Sequence, residues 1–452
     1  MSGFPFPHGT LFALGEASTQ QRKEPVPPAR RQPACLPAAR HSQVSILKGK
    51  SMNATDTAFI LVCASMVFVM TPALALFYGG LVSARNVLST SFHSYASLGL
   101  VTAVWAVCGY SLAFGSDASG IIGGLDYVFL AGMAGPAPMA GNLPHAAFMM
   151  FQCMFACLTV ALISGSYAER IRFSAMLAFS LLWTVFCYCP MAHWVWGGGW
   201  MAQMGAVDFA GGAVVHMASA AAALACAQAV GPRLASGLTG RGPHSLPMTL
   251  IGGGLLWFGW FGFNAGSALA AGPLAAHAFA TTHLATAFGM IGWLLVEWMR
   301  TGKPTTLGAV SGALAGLVAI TPAAGFVTLG SAMFMGFAGG MVCYAGVLLK
   351  NRFRYDDALD VVGIHGVGGT LGAILTGVFA SASVNGVNGL LYGNPRQLLV
   401  QTTSGIATWG YVYLASRLIL LLVDKAVGLR ADPDEEAAGL DLNEHHERGY
   451  SL

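Results

Sequence analysis

The chain has 452 residues, of which 55% are hydrophobic and only 9% are charged, and its formal net charge is +3. A soluble protein carries about 25% charged residues, so this composition excludes the water-soluble classes. Much of the basic excess lies in the first fifty residues and in short loops, a distribution that excludes nucleic acid as a partner.

Residues 1–51 are rich in proline and arginine, show no hydrophobic periodicity and predict a disordered leader. The segment lacks the continuous apolar core of a signal peptide. Seven basic residues within it would have to cross the membrane if the first span starts outside the cell. We therefore expect either that translation begins near Met52 or that this leader has a function of its own.

Apolar runs between charges, glycines and prolines predict eleven transmembrane helices within a membrane domain at 52–424. Each run is long enough to cross a bilayer core, which takes about twenty residues at about 1.5 Å per residue. The predicted fold class is therefore an all-α polytopic membrane protein. The spans are expected at 57–80, 88–114, 145–167, 173–192, 209–230, 246–267, 277–299, 306–323, 326–349, 361–381 and 397–424.

Lysine and arginine are distributed unevenly between alternate loops. One set of loops contains only Arg396, whereas the other set, with the segment 425–452, contains thirteen basic residues. Basic loops stay in the cytoplasm, so we expect a multi-pass protein of the inner (plasma) membrane with its N-terminus outside and its C-terminus cytoplasmic. The thirteen are Arg85, Arg170, Arg172, Arg233, Arg241, Arg300, Lys303, Lys350, Arg352, Arg354, Lys425, Arg430 and Arg448.

Two predicted spans each contain a histidine that follows an aspartate. His216 follows Asp208 in span 5, and His365 follows Asp360 in span 10. Ionisable groups in hydrocarbon cost several kcal/mol, which makes both histidines functional candidates. The two segments enter from opposite sides, as in the inverted repeats of transporters, here spans 1–5 and 6–10. Alternatively, each histidine is satisfied by a neighbouring helix and each aspartate is an N-cap; Asp360 is expected to be a structural acid.

Aromatic residues lie near the predicted outer ends of spans 3, 4 and 6. They include Phe155, Trp196 and Phe263, and the hydroxyl of Ser267 follows Phe263 by one helical turn. A ring face together with a hydroxyl suits a small cation. An interfacial aromatic belt without a binding function is the alternative.

Several motifs resemble the ammonium transporter family (Amt/Mep/Rh), over essentially all of residues 52–452, and they are closer to bacterial Amt than to Rh. In chain order they are Phe77-Tyr-Gly-Gly-Leu, Ala168-Glu-Arg-Ile-Arg-Phe, Ala192-His-Trp-Val-Trp-Gly-Gly-Gly, Asp208-Phe-Ala-Gly-Gly, Gly259-Trp-Phe-Gly-Phe-Asn-Ala-Gly-Ser, and Asp357-Ala-Leu-Asp through His365-Gly-Val-Gly-Gly.

This resemblance implies a homotrimer with one pore through each subunit. Phe155, Trp196 and Ser267 match the family's external ammonium-binding site, and Asp208 matches the acidic residue required near it. Phe155 and Phe263 match the stacked rings that gate the pore.

The implied function is ammonium transport. Ammonium is recruited at the outer site, loses a proton and crosses into the cytoplasm as ammonia, through a hydrophobic pore where His216 and His365 match the family's paired imidazoles. Potassium has nearly the same size but cannot give up a proton, so this chemistry separates the two cations. No nucleophile–base pair or metal cluster is visible in the sequence, so we expect neither an enzyme nor a cofactor.

The C-terminal segment 425–452 resembles the cytoplasmic tail that supports trimer coupling and docking of the PII signalling protein. It is acidic and poor in apolar residues, so it should be ordered only by docking on basic loops around Arg170, Arg233, Arg300 and Arg352. His446 stands where glycine is common in the family, which makes PII docking a weaker expectation than transport.

Two other functions remain open from the sequence. A passive channel for ammonia or carbon dioxide would share the fold and the histidines. An ammonium sensor would usually append a large signalling domain after the last span, whereas only about 28 residues follow residue 424.

Overall fold

Eleven apolar helices form the membrane part of the computed structural model, which describes residues 52–141, 143–234 and 242–451. Ten are long and apolar enough to cross a membrane, and the other, α8, has 15 residues. The predicted leader, 1–51, lies outside the described residues. The helices are α1 (Ala54–Leu81), α2 (Val87–Phe114), α3 (His145–Ser166), α4 (Phe173–Met204), α5 (Gly212–Val230), α6 (Leu246–Gly266), α7 (Pro273–Thr301), α8 (Thr306–Ile320), α9 (Leu329–Phe353), α10 (Val362–Phe379) and α11 (Pro395–Val427).

Each predicted span corresponds to one of these helices, so the polytopic all-α fold is confirmed. The largest difference is at α4, which continues beyond its predicted end at residue 192 to Met204. Three glycines interrupt it after Trp196, and the carbonyl of His193 accepts from the amides of Gly197 and Gly199 there. These bonds satisfy backbone amides at the break, and a further helical turn follows at Trp200–Met204.

The remaining elements are short. Strands β1 (Asp117–Ala118) and β2 (Ile122–Gly123) form an antiparallel hairpin in which Asp117 lies opposite Gly123. The indole of Trp194 donates to the Ile121 carbonyl at 2.7 Å and thereby ties this hairpin to α4. Single turns occur at Val128–Leu130, Ala382–Asn385 and Leu390–Tyr392, and the tail contains α12 (Pro433–Ala438) and α13 (Leu440–His445).

Close contact between α1 and α6 depends on glycine. A Cβ atom added at Gly252 would lie 2.4 Å from the Phe77 amide nitrogen, and one at Gly259 would lie 2.2 Å from a Met70 side-chain carbon. Small residues let membrane helices approach until their backbones touch. The contact fixes the face of α6 that carries Trp260 and Phe263.

Arg170 joins three loops at the end of the bundle against which residues 431–451 pack, called here the tail face. Its side chain is completely buried and donates to carbonyl oxygens of Ser166, Ala168, Gly231 and Asp356. Burial lowers the pKa of Arg170 to about 10, so the guanidinium is still charged at neutral pH. One side chain thus joins the loops after α3, α5 and α9.

The tail packs against the same face. The Glu436 carboxylate pairs with Arg430 at 2.8 Å and accepts from the Leu234 amide. The Asp441 carboxylate accepts from the amides of Leu88 and Ser89, at 3.1 and 2.8 Å, in the first turn of α2. An acid at a helix N-terminus satisfies amides that have no intrahelical partner, so the tail caps a membrane helix.

Replacing Arg170 with alanine should lower the free energy of unfolding by about 3 kcal/mol or more, because several buried carbonyls lose their donor. Arg172→Ala is the matched control. Its pair with Asp432 is exposed, at 35% and 67% of the two side chains, and such a pair is worth about 0–1 kcal/mol. Thermal unfolding in detergent checks both variants, and equal shifts in Tm would contradict the role given to Arg170.

Candidate functional site

Three aromatic rings from different helices meet at the end of the bundle opposite the tail. Phe155 of α3 and Phe263 of α6 are both buried and stack with ring centroids 4.1 Å apart and planes at 23°. Trp196 of α4 lies edge-on to Phe155 at 5.9 Å. The structure therefore brings together the rings that the sequence places on three separate spans.

Two hydrogen bonds orient the groups around these rings. The half-buried indole of Trp196 donates to the Asp208 carbonyl at 2.9 Å. The hydroxyl of Ser267 donates to the Phe263 carbonyl at 2.9 Å. A hydroxyl has one hydrogen and two lone pairs, so Ser267 keeps acceptor capacity for a cation that donates hydrogen bonds.

Asp208 holds the start of the helix that carries His216. Its Oδ1 accepts from the amides of Gly211 and Gly212, at 2.8 and 2.6 Å. Its Oδ2 accepts from the amides of Ala213 and Val214, at 2.7 and 3.4 Å. The sequence places Asp208 among the ammonium-binding residues, but here the carboxylate is engaged by backbone amides. The carboxylate therefore caps the start of α5.

The two histidines of spans 5 and 10 meet directly. Their Nδ1 atoms lie 3.2 Å apart, with His216 fully buried and His365 6% exposed. One Nδ1 must carry the hydrogen and the other must accept it, because a hydrogen bond needs one of each. The His216 ring also stacks on Trp260, with centroids 5.4 Å apart, and its Nε2 has no hydrogen-bond partner among the described residues.

Both histidines lie in helical turns wider than an α-helix. These π turns are Gly212–Met217 in α5 and Val362–Gly366 in α10. A π turn shifts the following side chains around the helix axis and is frequent at functional sites. The residue spacing in the sequence gives no indication of these turns.

The acid that caps α10 is Asp357, and not Asp360. The buried Asp357 carboxylate accepts from the Val362 amide at 2.7 Å. Asp360 has a left-handed backbone, with φ of 61°, and its carboxylate pairs with Lys350. The sequence contains the correct signal, because the aspartate precedes the histidine by eight residues in both Asp208–His216 and Asp357–His365.

A narrow apolar cavity continues from the histidine pair toward the tail face. Trp260 lines it as well, a residue that is not among the predicted site residues. Its position three residues before Phe263 places both rings on one face of α6, and that spacing would have identified it. Asp360 lies at the far end of the lining, and the apolar side chains include Leu74, Phe77, Leu158, Leu256, Leu314 and Ile364.

Burial, together with the nearby Asp360 carboxylate, raises the pKa of Asp357 from 3.8 to about 6. A raised carboxyl pKa makes the folded state bind its proton first, so this group adds stability as pH falls from above 6 toward 4. Between pH 7.5 and 5.0 we expect a gain of about 1 kcal/mol in wild type that Asp357→Asn lacks. Thermal unfolding at both pH values tests this, with the exposed Asp434→Asn as the control that retains the gain; an equal gain in Asp357→Asn would contradict it.

Comparison with known proteins identifies the family. The model of the Ammonium Transporter Family matches residues 58–450. An ammonium transporter of Bacillus subtilis is 51% identical over 403 residues, which cover 88% of this chain and 99% of the relative. Ammonium transporter Amt1 of Archaeoglobus fulgidus is 44% identical over 400 residues, 88% of this chain and 100% of the relative.

Solved structures agree with this match. The crystal structure of Saccharomyces cerevisiae Mep2 has a TM-score of 0.81 at 36% identity and covers 85% of this chain and 89% of its own. A structure titled Sensor Amt Protein has a TM-score of 0.81 at 28% identity, covering 86% and 98%. The family is one of membrane transport proteins and not of enzymes. This chain belongs to the ammonium transporter family.

Proposed function

We propose that this protein recruits ammonium at the mouth formed by Trp196, Phe155 and Ser267, removes a proton, and conducts ammonia into the cytoplasm with transfer of that proton through His216 and His365. The observation that carries the proposal is the direct contact of the two imidazoles, with Nδ1 atoms 3.2 Å apart, beside the stacked rings of Phe155 and Phe263.

The mouth suits a small cation that can donate hydrogen bonds. The ring face of Trp196 attracts a cation by about 1 kcal/mol, and more when water is excluded. Ser267 has lone pairs free to accept from an N–H group, because its own hydrogen is used on the Phe263 carbonyl. Asp208 contributes by fixing Trp196 through its carbonyl.

The passage below the mouth excludes a hydrated ion. Phe155 and Phe263 are in ring contact at 4.1 Å, which leaves no space for water between them in this conformation. The cavity beyond is lined mainly by leucine, phenylalanine and isoleucine side chains. A bare charge there costs several kcal/mol. Ammonium avoids that cost by leaving its proton behind, and potassium cannot.

The histidine pair supplies a route for the proton. In a neutral pair, the ring that donates through Nδ1 has an Nε2 lone pair, while the other ring carries its hydrogen on Nε2. A proton accepted at the first Nε2 can move across the shared Nδ1 bond and leave from the second Nε2. Neither ring has to carry charge for more than the transfer itself.

The membrane arrangement follows from the same reasoning. We propose the inner (plasma) membrane, with the N-terminal end of α1 outside and the tail in the cytoplasm, on the distribution of basic residues. All residues of the proposed pathway belong to one chain, so each subunit of a homotrimer would have its own pore. Docking of a PII protein on the tail face is proposed from the tail's resemblance to the family's regulatory segment.

Two alternatives use the same fold. A passive gas channel would contain the same histidines but would move no charge when ammonium is applied. A sensor is suggested by the structure titled Sensor Amt Protein, at 28% identity. The relatives named ammonium transporters are more similar, at 51% and 44%, and this difference favours transport.

Expression in a host that lacks its own ammonium transporters tests the proposed function. We expect growth on limiting ammonium at low pH and an inward current on an ammonium pulse that potassium does not elicit. Growth without current would favour the gas channel. Neither growth nor current from a well-expressed protein would remove the transport assignment.

Replacing both His216 and His365 with leucine should abolish the ammonium current, because no group remains to carry the proton across the apolar passage. The fold should persist, since polar residues in a membrane pore cost stability. Currents in proteoliposomes and size-exclusion profiles measure the two effects. His283→Leu is the control: His283 is an exposed histidine of α7 that stacks on Trp257, and its loss should leave the current intact. A retained selective current in the double variant would exclude the relay.

Deleting residues 431–452 should reduce the flux without abolishing it and without dissolving the trimer, because the deletion removes the Asp441 cap on α2 but no residue of the pathway. PII binding should be lost as well. Asp441→Ala should reproduce part of the loss of flux, whereas Leu442→Ala, at a residue 44% exposed, should not. Full wild-type uptake by the deletion variant would show that the tail has no influence on transport.

A further inference from the structure

Two glutamines are buried on α11, a helix that contributes no side chain to the ring pair or the histidine pair. Gln397 is 6% exposed and Gln401, one turn later, is 3% exposed. A buried carboxamide without partners costs several kcal/mol, so its hydrogen bonds identify what it holds.

Both glutamines bond to the loop between α4 and α5. Gln401 Oε1 accepts from the Val207 amide at 2.9 Å, and its Nε2 donates to the Val207 carbonyl at 2.7 Å. Gln397 Nε2 donates to the Gly205 carbonyl at 3.0 Å. The donor and acceptor demands of Val207 fix the orientation of the Gln401 amide, because the reverse orientation would place like groups together.

The clamped carbonyl belongs to the peptide that joins Val207 to Asp208. Asp208 accepts hydrogen bonds from two parts of the site. Its carbonyl accepts from the Trp196 indole at 2.9 Å, and its carboxylate holds the first amides of α5, which carries His216. The position of Asp208 therefore sets the mouth and the start of the histidine helix together, and Gln401 fixes the peptide immediately before it.

We propose that Gln401 is a positioning residue of the ammonium mouth, which holds Asp208, and through it Trp196, by a two-bond clamp on Val207. The role rests on the function proposed above, because it assigns Gln401 a part in recruiting ammonium. The role concerns the apparent affinity for ammonium, because Val207, which Gln401 clamps, directly precedes Asp208 beside the mouth. Through this clamp, α11 influences the binding of ammonium at the mouth without lining the proposed pore.

The clamp itself can be tested without transport. Gln401→Met keeps a side chain of similar length but removes both hydrogen bonds to Val207. Hydrogen exchange of purified protein should become at least about tenfold faster within residues 205–214, as expected when a bond worth about 1.4 kcal/mol no longer protects the backbone. Ser404→Ala is the matched control, because the hydroxyl of buried Ser404 donates to the Val400 carbonyl of its own helix and not to the loop. Unchanged exchange in Gln401→Met would overturn the clamp, whatever the protein transports.

The effect on recruitment is tested by the dependence of uptake on substrate concentration. Gln401→Met should raise KM for ammonium or methylammonium by about tenfold, because Trp196 at the mouth is displaced. The maximal rate should change less than about twofold, because the backbone amides at the start of α5 still hold the Asp208 carboxylate. A merely structural role would instead lower the amount of folded protein and the maximal rate at unchanged KM. That second result would overturn the proposal.

A pH-dependent rescue separates positioning from packing. A protonated carboxyl has one donor and one acceptor in a fork like that of the amide, whereas a carboxylate has two acceptors. Gln401→Glu should therefore approach wild-type KM near external pH 5 and depart from it near pH 7.5, with wild type measured at each pH as reference. Gln401→Met should show the same ratio to wild type at both values. An equal ratio for Gln401→Glu at both pH values would overturn the hydrogen-bond clamp.

The two proposals fail in different ways. If wild type shows no saturable uptake, the transport function is wrong, and Gln401 then has no part in recruitment even where hydrogen exchange supports the clamp. If wild type transports and Gln401→Met has wild-type KM, the transport function stands and the positioning role fails.

Discussion

The cost of placing charge in hydrocarbon is the constraint on which the other features depend. The ionisable groups of the site follow this constraint: the two imidazoles bond to each other, and Asp208 is engaged by backbone amides. Charged residues that remain, such as Arg170 and Arg233, lie at the tail face, where they join loops. The bond between the two imidazoles lies in this interior, at the position where the proposed relay would have to hold a proton.

The capped N-termini of two helices place the two imidazoles in contact. Asp208 and Asp357 each hold the beginning of a helix whose histidine follows eight residues later. Both helices start with a wide turn, and the two rings meet as a result. The two halves of the chain thus use one local arrangement twice, and each half supplies one imidazole.

Much of the fold could be predicted from hydrophobic runs, because a bilayer imposes a minimum length on every spanning helix. The ends of the helices were harder to predict from the sequence. The end of α4 depends on the His193 carbonyl, which compensates for three glycines, and composition does not reveal such a bond. Among the site residues, Phe155, Phe263 and the histidines were identifiable by type. The sequence analysis predicts Asp360 as the structural acid of span 10, whereas the eight-residue spacing shared by the two halves indicates Asp357. The contact of Gln401 with Val207 joins residues 194 positions apart, and no local pattern encodes it.

In the proposed relay, the tautomeric state of the His216–His365 pair depends on whether a proton has just passed. Before a proton passes, one ring holds the Nδ1 hydrogen; afterwards the other ring holds it, and the tautomers have exchanged. The Nε2 that received the proton is then occupied, so a second proton arriving from the same side finds no acceptor. The pair must be restored between successive events, and the rate of that restoration sets an upper limit on proton flux that is independent of how fast ammonium reaches the mouth.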